Sequence, residues 1–405
     1  MKNKMQLYNH QKRLLEKNPK RILLSWSCGL GKSLASIELI LKHTKNFLVI
    51  TPKGLKKKWE RDLQEHPVAK EHKWKVITKE EFRRDYEKIG HWGGVIIDES
   101  HNFASMKSQL SKRMINWLKK NQIDVRILCT ATPYLSSPLN ILRLAQILGY
   151  DWNYIEFINR FFFYVPMGAR QIPMVKKGIE PEIARLVQKI GDVVKLEDCV
   201  DVPEQIHEVE YFALNSIQKK MIAKIEAEET NPLVKFGKIH QIEQGTLKGG
   251  ETYHDVMTDI DKNERIFQLA EENKKIAVFC RYNLQIDYLK KKLEEADKTV
   301  FVLRGDTPDR DKVVQDVESS NECVVLINSA CSEGYELPSI GGIIYASNSF
   351  SYKDLTQSQG RFLRINNLKH NTFIYLLTEK GMDEDVYNSL MKKMDFDLHI
   401  YSKNK

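Results

Sequence analysis

"SWSCGLGKSLASIELILKH", from Ser25 to His43, is the stretch whose reading decides the fold. It leaves a short apolar run, RILLS (21–25), passes a turn with two glycines, and enters a helical pattern. Gly29 and Gly31 let successive backbone N–H groups face a phosphate. A helix starting near Lys32 would add the positive end of its dipole. Lys32 can reach the outer phosphates of a nucleotide, and the Ser33 hydroxyl suits a Mg²⁺ ion. The strict phosphate-loop pattern asks for glycine where Trp26 stands. The pentapeptide GLGKS alone therefore also reads as a glycine turn that caps a helix. If the loop holds phosphate, Trp26 is expected to pack beneath it.

Working outward, apolar runs alternate with helical patterns. NFLVI (46–50), GVIID (94–98) and VRILC (125–129) read as strands. Leu34, Ile37 and Leu41 fall on one helical face between the first two strands. Strands this apolar predict a parallel sheet covered on both faces. The alternation is lost over 150–260, where helices are expected at Ile179–Ile190 and Ser216–Glu229, and the polar stretch 245–263 reads as a loop. It resumes with KIAVFC (275–280), TVFVLRG (299–305), ECVVLIN (322–328), GIIYA (342–346) and TFIYLLT (372–378). Ile286, Leu289 and Leu293 make one helical face after the first of these. The expected organisation is two α/β lobes: 1–203, with a helical extension over 150–203, and 204–405, with a helical lead-in over 204–270.

Composition narrows the class. The 405 residues are 42% hydrophobic and 29% charged, an ordinary globular balance with room for two or three cores. A net charge of +9 favours polyanionic partners. The six cysteines, at 28, 129, 199, 280, 323 and 331, lack metal-site spacing and read as small buried hydrophobes in a reducing compartment. The start MKNKMQLYNHQKR has no apolar signal region, and no run of 18 apolar residues occurs. A cytoplasmic location is the expectation.

A second motif supplies acid groups. GGVIIDESH ends an apolar strand in Asp98 and Glu99, at the strand edge where open α/β sheets bind ligands. Asp98 can hold Mg²⁺ and Glu99 can polarise an attacking water.

With the phosphate loop in place, DESH and TATP (130–133) resemble motifs II and III of the superfamily 2 helicases, and QSQGRFLR (357–364) resembles their motif VI. LYNHQ (7–11), VITPKGLKKKW (49–59), FCRYN (279–283), RGDTPDRD (304–311) and SACSEGYELP (329–338) follow the same order along nearly the whole chain. The resemblance implies two RecA-like lobes with ATP and Mg²⁺ between them. It implies Gln11 on the adenine edge, Gly334 and Glu336 beside the nucleotide, and Thr130, Thr132 and Gln357 in coupling. Arg361 and Arg364, one turn apart on a predicted helix, would act as arginine fingers. Thr51, Pro52, Lys53, Lys56 and Arg281 would meet a nucleic-acid backbone, with Lys57, Lys58 and Trp59 nearby.

Within that superfamily, FINRFFF after motif III and the LYNHQ opening resemble the Swi/Snf-type ATPases. TATP and the Glu336 of SEGYELP depart from that branch's usual motifs. The resemblance implies a DNA-dependent ATPase that translocates on double-stranded DNA without reading sequence. A strand-separating DNA or RNA helicase, a non-catalytic clamp, and the motor subunit of a restriction or recombination complex are the alternatives. The Lys/Asn/Ile-rich composition suggests a bacterial or phage source.

Overall fold

In the computed structural model, residues 7–134, 137–167, 170–246, 260–331, 334–363 and 368–392 are described. The chain divides into two compact units, Met1–Asp201 and Val202–Lys405. Among the described residues no helix is long and apolar enough to cross a membrane.

The first unit is built on six parallel strands: β1 (Arg21–Trp26), β2 (Asn46–Thr51), β3 (Lys73–Thr78), β4 (Gly94–Ile97), β5 (Val125–Thr130) and, after a hairpin of β6 (Phe162–Met167) and β7 (Arg170–Val175), β8 (Gly191–Val194). Their order is β3-β2-β4-β5-β1-β8. The central strands are apolar from end to end because helices cover both faces. Register does the positioning. Ser25 pairs with Thr130 and Ile50 with Ile97, so the C-terminal ends of β1, β2, β4 and β5 finish at one edge. The loops that leave that edge carry the phosphate loop, Asp98–Glu99 and TATP. Below it, Phe82, Phe103, Met114 and Trp117 pack with Leu48, Ile50 and Ile97 into one core.

The second unit has β9 (Ile206–Phe212), β10 (Lys275–Cys280), β11 (Val300–Leu303), β12 (Cys323–Asn328), β13 (Gly342–Tyr345) and β14 (Thr372–Thr378). They form a parallel sheet in the order β11-β12-β10-β13-β14-β9. Ala277, Phe279 and Tyr345 face one apolar layer, and Ile276, Val278 and Ile344 the other.

Four expectations change. The extension over 150–203 is not purely helical: it holds the antiparallel hairpin and β8 besides the helices Tyr154–Phe161 and Glu180–Ile190. The lead-in over 204–270 begins with a strand, β9, which pairs with β14 from Thr372↔Ile206 to Thr378↔Phe212. Of the expected loop 245–263, residues 247–259 lie outside the described residues, and 261–263 open the helix Asp261–Glu272. The helix Lys32–Leu41 buries Ala35, Ser36, Ile37, Leu39 and Ile40, whereas Leu34 and Leu41 are only half-buried. β3, β8 and β9 lie at or near sheet edges, where one flank stays wet and the apolar signal fades. In β8, glycine is required: a Cβ on Gly191 would sit 2.2 Å from the Leu23 carbonyl oxygen.

Candidate active site

The phosphate loop is shaped from below. β1 ends in Trp26, whose side chain is fully buried. Its indole Nε1 donates to Asp192 Oδ2 on β8 at 2.8 Å, and its ring meets the His10 imidazole edge-on at 4.8 Å. A large side chain at this position therefore faces the interior of the unit and leaves the loop above it free. Asp192 also receives Arg13 at 3.2 Å and lies 3.7 Å from Lys17, tying the first helix, Asn9–Lys17, to the sheet.

The same helix grips the loop directly. His10 Nε2 donates to the Leu30 carbonyl at 2.9 Å, and Gln11 Nε2 to the Gly31 carbonyl at 3.1 Å. Gln11 Oε1 accepts from the Tyr8 backbone N–H at 2.9 Å. The Gln11 amide is buried and engaged at both ends, so in the folded chain it braces the loop. Gly29 (φ 82°) and Gly31 (φ 71°) take left-handed conformations, and a Cβ on Gly31 would strike Gln11 Nε2 at 2.5 Å. Lys32 and Ser33 then open the next helix, as the sequence predicts. Lys32 Nζ lies on its own loop, donating to the Trp26 and Ser27 carbonyls at 2.9 and 3.1 Å.

The acid pair follows β4. Asp98 Oδ1 accepts the Glu99 N–H at 3.0 Å. Asp98 Oδ2 accepts from the Trp59 indole at 2.8 Å and the Thr51 hydroxyl at 3.3 Å. Glu99 sits at φ 46°, a conformation that costs a non-glycine residue energy and recurs at functional sites. Burial, and then the neighbouring Glu99 charge, push the Asp98 carboxyl up to about 6, against the opposing pull of Trp59 and Lys32. His101 Nδ1 lies 3.3 Å from Glu99 Oε2 and 3.0 Å from Thr130 Oγ1. The Thr130 hydroxyl in turn accepts the Thr132 N–H at 3.1 Å. One imidazole thus joins the DESH and TATP segments.

The expected backbone-contact residues separate. Thr51 is 1% exposed and bonded to Asp98, so its side chain belongs to the acid pair and not to an external phosphate. Pro52 is buried as well, and Lys56 is paired with Glu81 at 2.9 Å. Lys53 is exposed. Trp59, expected among the external lysines, faces inward as the Asp98 donor, a role with no signal in its local sequence.

In the second unit, the helix Tyr352–Gln359 ends before Arg361, which is therefore not helical, and Gln357 is buried within that helix. Arg361 Cζ stands 5.8 Å over the Tyr335 ring, and its carbonyl accepts the Leu337 N–H at 3.1 Å. Gly334 (φ 91°) and Glu336 are thereby held beside Arg361. Arg364 lies outside the described residues. Arg281 follows β10, its guanidinium 3.7 Å from the centre of the Phe350 ring.

Among the described residues no cluster of three or more His, Cys, Asp or Glu side chains is placed to hold a metal. A Mg²⁺ ion held by one or two protein groups and by substrate phosphates needs none. The Asp98 carboxylate at the exit of β4 and the Ser33 hydroxyl in the first turn of Lys32–Leu41 are oxygen donors of the kind such an ion takes.

Residues 261–366 match the helicase conserved C-terminal domain. Over 93% of its length the chain is 22% identical to a SWI/SNF-related matrix-associated actin-dependent regulator of chromatin subfamily A-like protein 1 homolog of Caenorhabditis elegans, of which it spans 58%. It is 20% identical to a chromodomain-helicase-DNA-binding protein 1 of Gallus gallus, again over 93% of this chain but only 25% of that protein. Among solved structures it is similar to a Sulfolobus solfataricus SWI2/SNF2 ATPase core in complex with dsDNA, at 20% identity and TM-score 0.42, covering 96% of this chain and 91% of that one. With two parallel sheets, a glycine loop at one sheet edge and a match to the helicase conserved C-terminal domain, the chain is similar to proteins of the Swi/Snf-related group.

Proposed function

We propose that the protein is an ATP-dependent motor that moves along double-stranded DNA. The observation that carries this reading is the convergence of Lys32, Asp98 and Glu99 at one sheet edge, beneath a glycine loop and the N-terminus of a helix. Lys32 leaves its loop carbonyls for the outer phosphates. The loop N–H groups and helix dipole hold the remaining charge. Asp98 and Ser33 would hold Mg²⁺, which would supply charge neutralisation at the phosphates. Glu99, oriented by its left-handed backbone and by His101, polarises the attacking water. His101 and Thr130 pass the state of Glu99 to the TATP segment.

Duplex DNA is the proposed track. The similarity to a chromodomain-helicase-DNA-binding protein supports it, as do the net charge of +9 and the cations Lys53 and Arg281. Contacts of this kind bind phosphates and read no sequence. A cytoplasmic setting suits the six free cysteines, which a reducing compartment keeps as thiols.

The test is ATP hydrolysis with duplex DNA, single-stranded DNA and RNA, alongside triplex and strand displacement. Duplex-stimulated turnover with triplex but not strand displacement is expected. Glu99→Gln and Lys32→Ala should each lower turnover by about 100-fold or more, the scale of a lost general base or charge clamp. Stimulation by RNA alone would sink the DNA reading. Normal turnover by Glu99→Gln would remove Glu99 from the chemistry.

A further inference from the structure

The second unit buries a set of charged groups that ATP chemistry does not use. His240 and Glu243 lie on the helix Pro232–Glu243, Lys262 in the first turn of Asp261–Glu272, and Asp383 in the first turn of Met382–Met391. All four side chains are almost entirely shielded from solvent. Asp383 is the hub. It pairs with the Lys262 ammonium, accepts from Gln244 Nε2 at 2.7 Å, and accepts from His240 Nε2 at 3.1 Å. Glu243 anchors the hub's helix, accepting the N–H groups of Met382 and Asp383 at 2.8 and 3.0 Å.

The chain of bonds runs outward from the hub. Burial alone would raise the Asp383 carboxyl, but Lys262 and His240 hold it well below the usual carboxylate range. It is a carboxylate, which can only accept, so the bonded His240 Nε2 carries a proton. Burial lowers the His240 imidazole, which stays neutral, so Nδ1 is a lone pair. The Tyr282 hydroxyl, 2.6 Å from Nδ1, must therefore donate to it. The Arg281 guanidinium lies 6.0 Å from the centre of the Tyr282 ring. The Phe350 ring packs edge-on against His240 at 5.3 Å on one side and under the Arg281 guanidinium at 3.7 Å on the other. His240 thus touches both rings that hold Arg281.

We infer that His240, Tyr282 and Phe350 form a positioning cradle, anchored by Asp383, that fixes the Arg281 guanidinium for contact with the phosphate backbone of DNA. The inference rests on the reading of Arg281 as a nucleic-acid contact. Arg281 is the contact residue, and His240 and Tyr282 act through it. A flexible arginine would lose rotamer freedom on each encounter with DNA. Held against the Phe350 and Tyr282 rings, it has lost that freedom already.

The experiment is a double-mutant cycle on the full chain, with a synthetic duplex as the probe. It reads the duplex concentration that half-saturates ATPase stimulation, and the denaturant midpoint. Tyr282→Phe removes one hydroxyl and should raise half-saturation by about 3- to 10-fold, the scale of one lost hydrogen bond. His240→Gln should do the same. In an Arg281→Ala background neither change should add to the defect, because their target is gone. Any loss in denaturant midpoint should be equal in both backgrounds. Additive DNA defects in the Arg281→Ala background, or no defect from Tyr282→Phe and His240→Gln, would overturn the cradle. Unaltered duplex response in Arg281→Ala alone would instead overturn the assignment of Arg281 to DNA.

Discussion

Each unit buries a pair of acids beside a lysine, and the two pairs are opposites. In the first unit Asp98 lies next to Glu99, with Lys32 turned to its own loop carbonyls, and its carboxyl is pushed up to about 6. In the second, Asp383 lies near Glu243 but holds Lys262, His240 and Gln244 directly, and its carboxyl is driven down. The local chemistry is similar, so the difference lies in where the compensating charge stands. At Asp383 the fold supplies it. At Asp98 the fold supplies less of it, which suits the proposed binding of a cation and a phosphate chain. A buried carboxylate with its partners built in is structural, whereas one left short of them is available for ligand.

Removing the lysine from each region breaks the comparison most directly. Lys262→Met leaves a buried carboxylate without its ammonium, and should cost about 3–5 kcal/mol of stability, as broken buried pairs do. Lys32→Met should cost under about 1 kcal/mol, because Asp98 can take up a proton near neutral pH and the lysine's own bonds are to loop carbonyls. Denaturant midpoints of the two variants measure this. Equal losses would mean that the two acid pairs are compensated alike.

A pH series sharpens the same contrast at smaller amplitude. Asp98 is raised from 3.8 to about 6 in the folded chain. Without ligand, its contribution to stability is present in full below its unfolded value and is lost as pH rises through about 6. Binding of Mg²⁺-nucleotide draws on the ionised form, so affinity should move the other way. It should fall by up to about tenfold per pH unit below about 6, and level off above. Nucleotide-induced shifts in melting temperature between pH 5 and 8, compared with an Asp98→Asn control, read this out. Asp383 remains ionised throughout that range and adds no slope of its own, whereas Glu243, raised to about 7 by burial and then by the Asp383 charge, adds stability that is lost as pH rises through about 7, independent of nucleotide.

The contrast also marks what could be read from sequence. β1, β2, β4, β5, β10, β12, β13 and β14 are apolar along their length and flanked by helices, so their positions were legible almost to the residue. So was the start of the helix at Lys32, because glycines and a lysine at a strand exit admit few other conformations. The edge strands were not legible: GDVV at β8 and IHEVEYF at β9 owe their state to neighbours far away in the chain. The same holds within the sites. Asp98 and Glu99 stand beside each other in sequence and announce themselves. Trp59 reaches Asp98 across 39 residues, and Asp383 meets His240 across 143, so only the folded chain brings those pairs together. Gln11 and Thr51 stand within stretches that resemble family motifs, whereas their partners inside the chain, the Gly31 carbonyl and Asp98, appear only on folding. Arg361 was placed on a helix that stops at Gln359, where Gly360 takes the C-cap.

Trp59 gives the finest test of the comparison. Its indole is the strongest of the influences that hold the Asp98 carboxyl down, and it is the donor that most resembles the partners of Asp383. Trp59→Phe keeps an aromatic ring in the same core position and removes that donor. The Asp98 carboxyl should then rise further, so that protonation competes with Mg²⁺-nucleotide at neutral pH. The expected loss of nucleotide affinity near pH 7 is about 3-fold, the lower range for one charged hydrogen bond. The decisive feature is its pH dependence. If the indole acts through the charge of Asp98, the deficit disappears by about pH 8.5, where the acid is ionised in both proteins. A deficit that persists unchanged at high pH would mean that the substitution acts through lost packing, and that the first unit's acid pair owes nothing to its indole.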